Sequence, residues 1–137
     1  MRDAILLCLL AAIPAGITGW VYHRRPKPAV NPEDQATLER VAKWGDRVIW
    51  LDARSQKKYE KDHVPGALPL NEDHWDELLL AVVEAWSPEK IIVVYCSEED
   101  CDAAADVVRR LKKEMEWTDV YMLQGGWQTW KQAHPGS

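Results

Sequence analysis

Between residues 48 and 123 the chain alternates short runs of apolar β-formers with longer stretches of helical periodicity. Val48-Ile49-Trp50-Leu51 and Ile91-Ile92-Val93-Val94-Tyr95 are uninterrupted apolar runs, the pattern of strands buried on both faces. Residues 120–123 form a third run, and a short extended piece ends near Leu70, after the turn Val64-Pro65-Gly66-Ala67. Trp75, Leu78, Leu79, Val82 and Val83 recur at i, i+3, i+4, i+7 and i+8, one stripe of a helix that Asn71 can cap. Ala104, Val107, Val108, Leu111 and Met115 mark a second stripe.

Asn31-Pro32-Glu33-Asp34 reads as a helix start: a capping Asn, Pro at the first helical position and acids in the first turn. Leu38, Val41 and Ala42 would be the apolar side of that helix and Gly45 its end. Residues 55–61 are polar and predict a helical turn or two, while Gly125-Gly126 opens a terminal helix that stops at His134-Pro135. Strands alternating with helices of this length predict an α/β fold, a mostly parallel sheet of about five strands with helices on both faces. In such sheets ligands bind beyond the carboxyl ends of the strands.

The N-terminus breaks this pattern. Residues 4–22 (AILLCLLAAIPAGITGWVY) carry no charge, and about 20 apolar residues span a bilayer core. Trp20 and Tyr22 fall where an interfacial aromatic belt would lie, and HRRPKP follows as a stop. Pro14, Gly16 and Gly19 suit a membrane span better than a soluble helix. A cleaved signal peptide fits less well, because Arg2 stands beside Asp3 and no small-x-small site follows the run. A buried soluble helix is the third reading. The expectation is one transmembrane helix and a Pro-rich spacer within residues 1–30, then a folded domain over 31–137. Arg24, Arg25 and Lys27 against Arg2 point that domain toward the cytoplasm.

Charge and cysteine content narrow the chemistry. The full chain has 137 residues, room for one domain. Beyond Val30 there are thirteen Lys and Arg against twenty-one Asp and Glu, a net of −8. So acidic a domain excludes nucleic acid as a partner, since phosphate contacts need a basic face. Three cysteines are too few for a disulfide framework, and Cys8 lies in the apolar run as a small hydrophobe. His63 and His74 have no zinc-like spacing, so neither a metal nor another cofactor is expected. Trp44, Trp50, Trp75 and Trp117 are read as packing residues.

Cys96 remains, at the carboxyl end of the strongest strand. It stands within the order Leu51-Asp52-Ala53-Arg54, then Tyr59-Glu60-Lys61-Asp62-His63-Val64-Pro65-Gly66-Ala67, then Tyr95-Cys96, then Gly125-Gly126-Trp127-Gln128-Thr129-Trp130. This order resembles the rhodanese-like domain, a sulfurtransferase module, over about 100 residues. The resemblance implies a three-layer α/β fold. It makes Cys96 the position that takes a sulfane sulfur as a persulfide and passes it to a thiol. Ser97, Glu98, Glu99, Asp100 and Cys101 complete the implied active-site loop. Asp52 and Arg54 match the family's Asp-x-Arg pair, and Trp127 its aromatic at the loop's rim. His63 falls in a turn motif and reads as structural. The phosphatases that share this fold need an Arg six positions after the cysteine, where this chain has Asp102.

The loop's composition sharpens the functional expectation. A strand-to-helix loop turns backbone N–H groups inward and the helix N-terminus adds partial positive charge, so a thiolate needs no cation from the loop itself. Glu98, Glu99, Asp100 and Asp102 predict repulsion of a dianionic donor such as thiosulfate and favour a neutral or protein-borne persulfide. The same acids also suit the first turn of a helix. Cys101 is either a thiol that resolves or protects Cys96 or a small residue facing the sheet. The alternative to an enzyme is a rhodanese-like binding module tethered to a membrane.

Overall fold

The computed structural model describes residues 30–97 and 101–137. Ten elements follow in order: β1 (Gln35–Ala36), α1 (Leu38–Ala42), β2 (Val48–Asp52), α2 (Gln56–Lys61), β3 (Leu68–Pro69), α3 (Trp75–Ala85), β4 (Ile91–Tyr95), α4 (Cys101–Glu114), β5 (Val120–Leu123) and α5 (Gly126–Ala133). The strands form one sheet in the order β1-β5-β4-β2-β3, and every pairing is parallel. Tyr95 at the end of β4 sits level with Asp52 at the end of β2. The Asp52 carboxylate therefore emerges beside the Tyr95 side chain at the carboxyl end of the sheet, with Cys96 one residue further along.

Alternation along β4 builds both cores, since successive side chains of a strand point to opposite faces. Ile92, Val94 and Cys96 pack with Val82 of α3 and with Ala104, Val107, Val108 and Leu111 of α4. Ile91, Val93 and Tyr95 pack with Val41 of α1 and Trp130 of α5. Helices thus cover both faces and all five β4 residues are buried, as an uninterrupted apolar strand requires. The turn before β3 closes with Ala67 N donating to Val64 O at 2.9 Å. Gly66 takes φ +80° at its third position, which a type II turn demands there.

Three local expectations are corrected. Pro32–Asp34 forms only a 3₁₀ turn without a side-chain cap from Asn31, because Gln35 and Ala36 leave it to pair with β5. The helix starts later, capped by Thr37, whose Oγ1 accepts from Arg40 N at 3.2 Å. Val83 is exposed, as is Leu80; α3 buries a narrow stripe centred on Trp75 and Val82. Asn71 does cap, accepting from His74 N, but the turn it caps is a 3₁₀ segment leading into α3. The predicted membrane span lies outside the described residues; among those described, no helix is long and apolar enough to cross a membrane.

Candidate active site

Cys96 follows β4 directly and is 1% exposed, while Cys101 opens α4 and is exposed. Both are free thiols. Cys101 therefore belongs to the first turn of a helix and does not face the sheet; its Sγ lies 3.6 Å from the Ser97 carbonyl oxygen. Glu98, Glu99 and Asp100 lie outside the described residues.

What holds Cys96 in place comes from the glycine pair. Trp127 N donates to the Cys96 carbonyl at 2.7 Å. A Cβ on Gly126 (φ +55°) would stand 2.2 Å from that carbonyl oxygen. No side chain fits in that gap, so the second glycine is required for α5 to dock its first turn on the cysteine's backbone. Gly125, at φ +77°, would collide with Thr129 Oγ1 if it carried a Cβ.

Asp52 and Arg54 are both buried and pair through several bonds. Arg54 Nη2 donates to Asp52 Oδ2 at 2.8 Å, and Nε reaches Oδ1 and Oδ2 at 3.1 and 3.2 Å. The Arg54 backbone N–H adds a bond to Oδ1 at 2.9 Å. Tyr95, absent from the sequence-based site, completes the cluster: its hydroxyl donates to Asp52 Oδ2 at 2.8 Å and accepts from Val64 N at 3.1 Å. Burial, reinforced by the Asp52 charge, pushes the Tyr95 phenol far above its ordinary pKa. Burial works against the Arg54 charge, but the bonds and charge of Asp52 outweigh it and the guanidinium pKa ends raised. Arg54 Nη2 also donates to the Asp62 carbonyl at 2.6 Å, and its guanidinium carbon lies 4.4 Å from the Trp127 ring centre. Tyr95 in turn stacks on Trp127 at 5.9 Å.

Arg54 of this cluster lines a cavity of about 520 Å³ between α2 and α5, together with Ser97 and Trp127. Lys58 and Lys61 enter from α2 and Lys131 from α5. Lys58 Nζ reaches Ser97 Oγ at 3.3 Å across 39 residues of chain, so the fold brings a cation to the loop that the loop's own sequence lacks. Lys131 Nζ pairs with Asp62 at 2.9 Å and holds its carboxyl below the usual range. A second cavity of about 470 Å³, lined by Leu38, Val41, Trp50 and Trp130, lies between α1 and α5; Cys96 lines neither cavity. His63 stacks on Tyr59 at 4.0 Å and bonds the Tyr59 carbonyl at 2.7 Å, a structural role as expected. Trp75 and Trp117 are buried and Trp44 and Trp50 half-buried, all in packing positions.

The profile of the Rhodanese-like domain matches residues 34–133. The chain belongs to the rhodanese-like domain family. The thiosulfate sulfurtransferase GlpE of Coxiella burnetii is 32% identical over 90 residues, covering 66% of this chain and 78% of that protein. Among solved structures, a Bacillus halodurans protein superimposes with a TM-score of 0.58 at 21% identity, covering 72% of each chain. The rhodanese-like domain of an Anabaena protein does so with 0.56 at 22%, covering 74% of this chain and 75% of that one. These likenesses carry the fold. In the structure Arg54, bonded to Asp52, lies against Trp127, whose N–H reaches the Cys96 carbonyl. Between Cys96 and α4 the sequence places Glu98, Glu99 and Asp100.

Proposed function

We propose that the chain is a membrane-tethered single-domain sulfurtransferase that forms a persulfide on Cys96 and passes sulfane sulfur to a thiol. The observation that carries this reading is the placement of Cys96. It lies at the carboxyl end of the central strand, clamped through its carbonyl by Trp127 N, and the next residue, Ser97, lines the cavity that Lys58 enters. In the reaction the Cys96 thiolate attacks the outer sulfur of R–S–SH. The S–S bond breaks, R–S⁻ leaves, and Cys96 holds S–SH; attack by an acceptor thiolate on that outer sulfur regenerates Cys96. No net oxidation occurs. The N-terminus of the 14-residue α4 favours the anionic form on either side of each step.

The Coxiella relative's name specifies thiosulfate. Glu98, Glu99, Asp100 and Asp102 follow Cys96 closely in this chain and disfavour a donor whose two charges sit beside the transferred sulfur. An organic persulfide is therefore the donor assigned here. Incubation with such a donor should add 32 Da on Cys96 in wild type and nothing in Cys96→Ser; equal sulfur transfer by that variant would refute the reading. The tether rests on residues 4–22, and retention in the membrane pellet after alkaline carbonate washing tests it. A chain released by that wash, or found without these residues, would overturn it.

The 1% exposure of Cys96 favours a second reading, a binding module that keeps the fold without the chemistry. Alkylation of Cys96 followed against pH separates the two. A midpoint at or above the free thiol value of about 8.5 supports the module.

A further inference from the structure

Cys96 is 1% exposed, and the two halves of sulfur transfer make different demands on such a site. A small persulfide donor can thread a narrow approach to the thiol. A protein-borne acceptor thiol brings a folded surface with it, and thiol exchange slows where access to the attacked sulfur is restricted. Cys101, five residues further along, has the opposite setting: it opens the 14-residue α4 and is exposed. Its Sγ is turned back along the chain, 3.6 Å from the Ser97 carbonyl oxygen. Ser97 is bonded to Cys96, so bond lengths alone put the Cys101 sulfur no more than about 10 Å from the Cys96 Cα. Cys96 for its part packs in the core that α4 covers, together with Ala104 from the first turn of that helix. One thiol thus lies inside the fold and the other outside it, at the same helix start. A persulfide on Cys96 reaches further than the thiol by one S–S bond of about 2 Å.

We infer that Cys101 is a second sulfur carrier, which takes the sulfane sulfur from Cys96 and presents it at the surface to protein thiols. The inference rests on the sulfurtransferase reading and names the class of its acceptor. The Cys101 thiolate attacks the outer sulfur of Cys96–S–SH. The S–S bond on Cys96 breaks, a new one forms on Cys101, and the proton stays on the transferred sulfur. The electron pair of the broken bond remains on the Cys96 sulfur, again a thiolate ready for the donor. No oxidant or reductant enters the step. Attack on the inner sulfur would instead expel hydrosulfide and close a Cys96–Cys101 disulfide, leaving the chain to be reduced from outside.

The test loads the full chain with N-acetylcysteinamide persulfide, traps thiols and persulfides by alkylation, and locates the added sulfur by mass spectrometry. Cleavage after Glu98 or Glu99 separates the two cysteines. The 32 Da gain should appear first on Cys96 and then on Cys101, and Cys101 should stay unloaded over the same period in Cys96→Ser. Delivery is then compared between reduced thioredoxin, a protein thiol, and cyanide, which is small enough to meet Cys96 directly. Cys101→Ser, an exposed change that leaves the core intact, should lower the ratio of the thioredoxin rate to the cyanide rate about tenfold, because the protein acceptor loses the accessible sulfur. Loading of Cys96 that never passes to Cys101 would overturn the relay while leaving sulfur transfer standing. So would loading of Cys101 at the wild-type rate in Cys96→Ser, an unchanged ratio in Cys101→Ser, or a chain 2 Da lighter with sulfide released. Absence of the 32 Da gain on Cys96 itself would overturn the sulfurtransferase reading and this inference with it.

Discussion

Arg54→Met removes the cation from a carboxylate that has no access to water. Asp52 and Arg54 are 0% and 4% exposed, so solvent screening does little to soften the loss. Breaking a buried ion pair by deleting one partner costs about 3–5 kcal/mol, mostly because the remaining charge stays buried. Asp52 would retain two donors, the Tyr95 hydroxyl at 2.8 Å and the backbone N–H of residue 54 at 2.9 Å, which places the expected loss near the lower end, about 3 kcal/mol. In a domain of this size that corresponds to a fall in Tm of about 12 °C or more. Urea unfolding followed by tryptophan fluorescence measures it directly. A second variant separates charge from packing: Asp52→Asn added to Arg54→Met removes the orphan charge and should recover about 1–2 kcal/mol. A loss under about 1 kcal/mol, the range of exposed pairs, would refute the reasoning. So would a double variant no more stable than Arg54→Met, which would assign the cost to the lost contact with Trp127.

Gly126→Ala places a methyl 2.2 Å from the Cys96 carbonyl oxygen at a positive φ, and should destabilise the domain by about 1–3 kcal/mol. It should also slow sulfur loading more than Ala53→Gly at equal stability; unchanged loading would show that α5 does not position the cysteine. Asp62 should titrate below an ordinary carboxylate, owing first to the hydrogen bond from Lys131. Because its folded pKa is depressed, its contribution to stability is present above the unfolded pKa of about 3.9 and is lost as pH falls through the folded value. Side-chain NMR titration should show the midpoint rise in Lys131→Met, and an unmoved midpoint would remove Lys131 as the cause.

The parts of the fold that depend on burial were legible, and those that depend on pairing between distant segments were not. β4 could be read because five apolar residues admit only a two-sided burial. Asp52, Arg54, Cys96 and Trp127 stand in an order of short motifs, and in the fold Arg54 lies against Trp127 while Trp127 N reaches the Cys96 carbonyl. Tyr95 looked like the last residue of a strand, and only the register that sets it level with Asp52 gives its hydroxyl a role. Asn31 has the composition of a cap, yet the backbone of residues 35–36 gains strand pairing with β5 and moves the helix start to Thr37. Lys58 and Lys131 lie just outside the short motifs. Nothing local to the Cys96 loop signals them, because they arrive from helices on either side of it.

The four motifs that order the sequence are joined mechanically in the structure. Asp52, ending β2, holds Arg54 and Tyr95; Arg54 holds the carbonyl of Asp62 just past α2; Tyr95 holds the Val64 N–H that starts the turn into β3. Trp127 lies against the guanidinium and the tyrosine ring while its N–H fixes the carbonyl of Cys96. The buried pair therefore ties the end of α2 to the start of α5. It sets the separation of α2 and α5, the two helices that carry the lysines of the cavity. Positioning of the cavity walls by Asp52 and Arg54 thus requires that loosening the pair affect sulfur loading of Cys96 as well as stability. In Arg54→Met, compared at a temperature where it stays folded, loading of Cys96 by an organic persulfide should be slower than in wild type. Loading at the wild-type rate would confine the pair to stability.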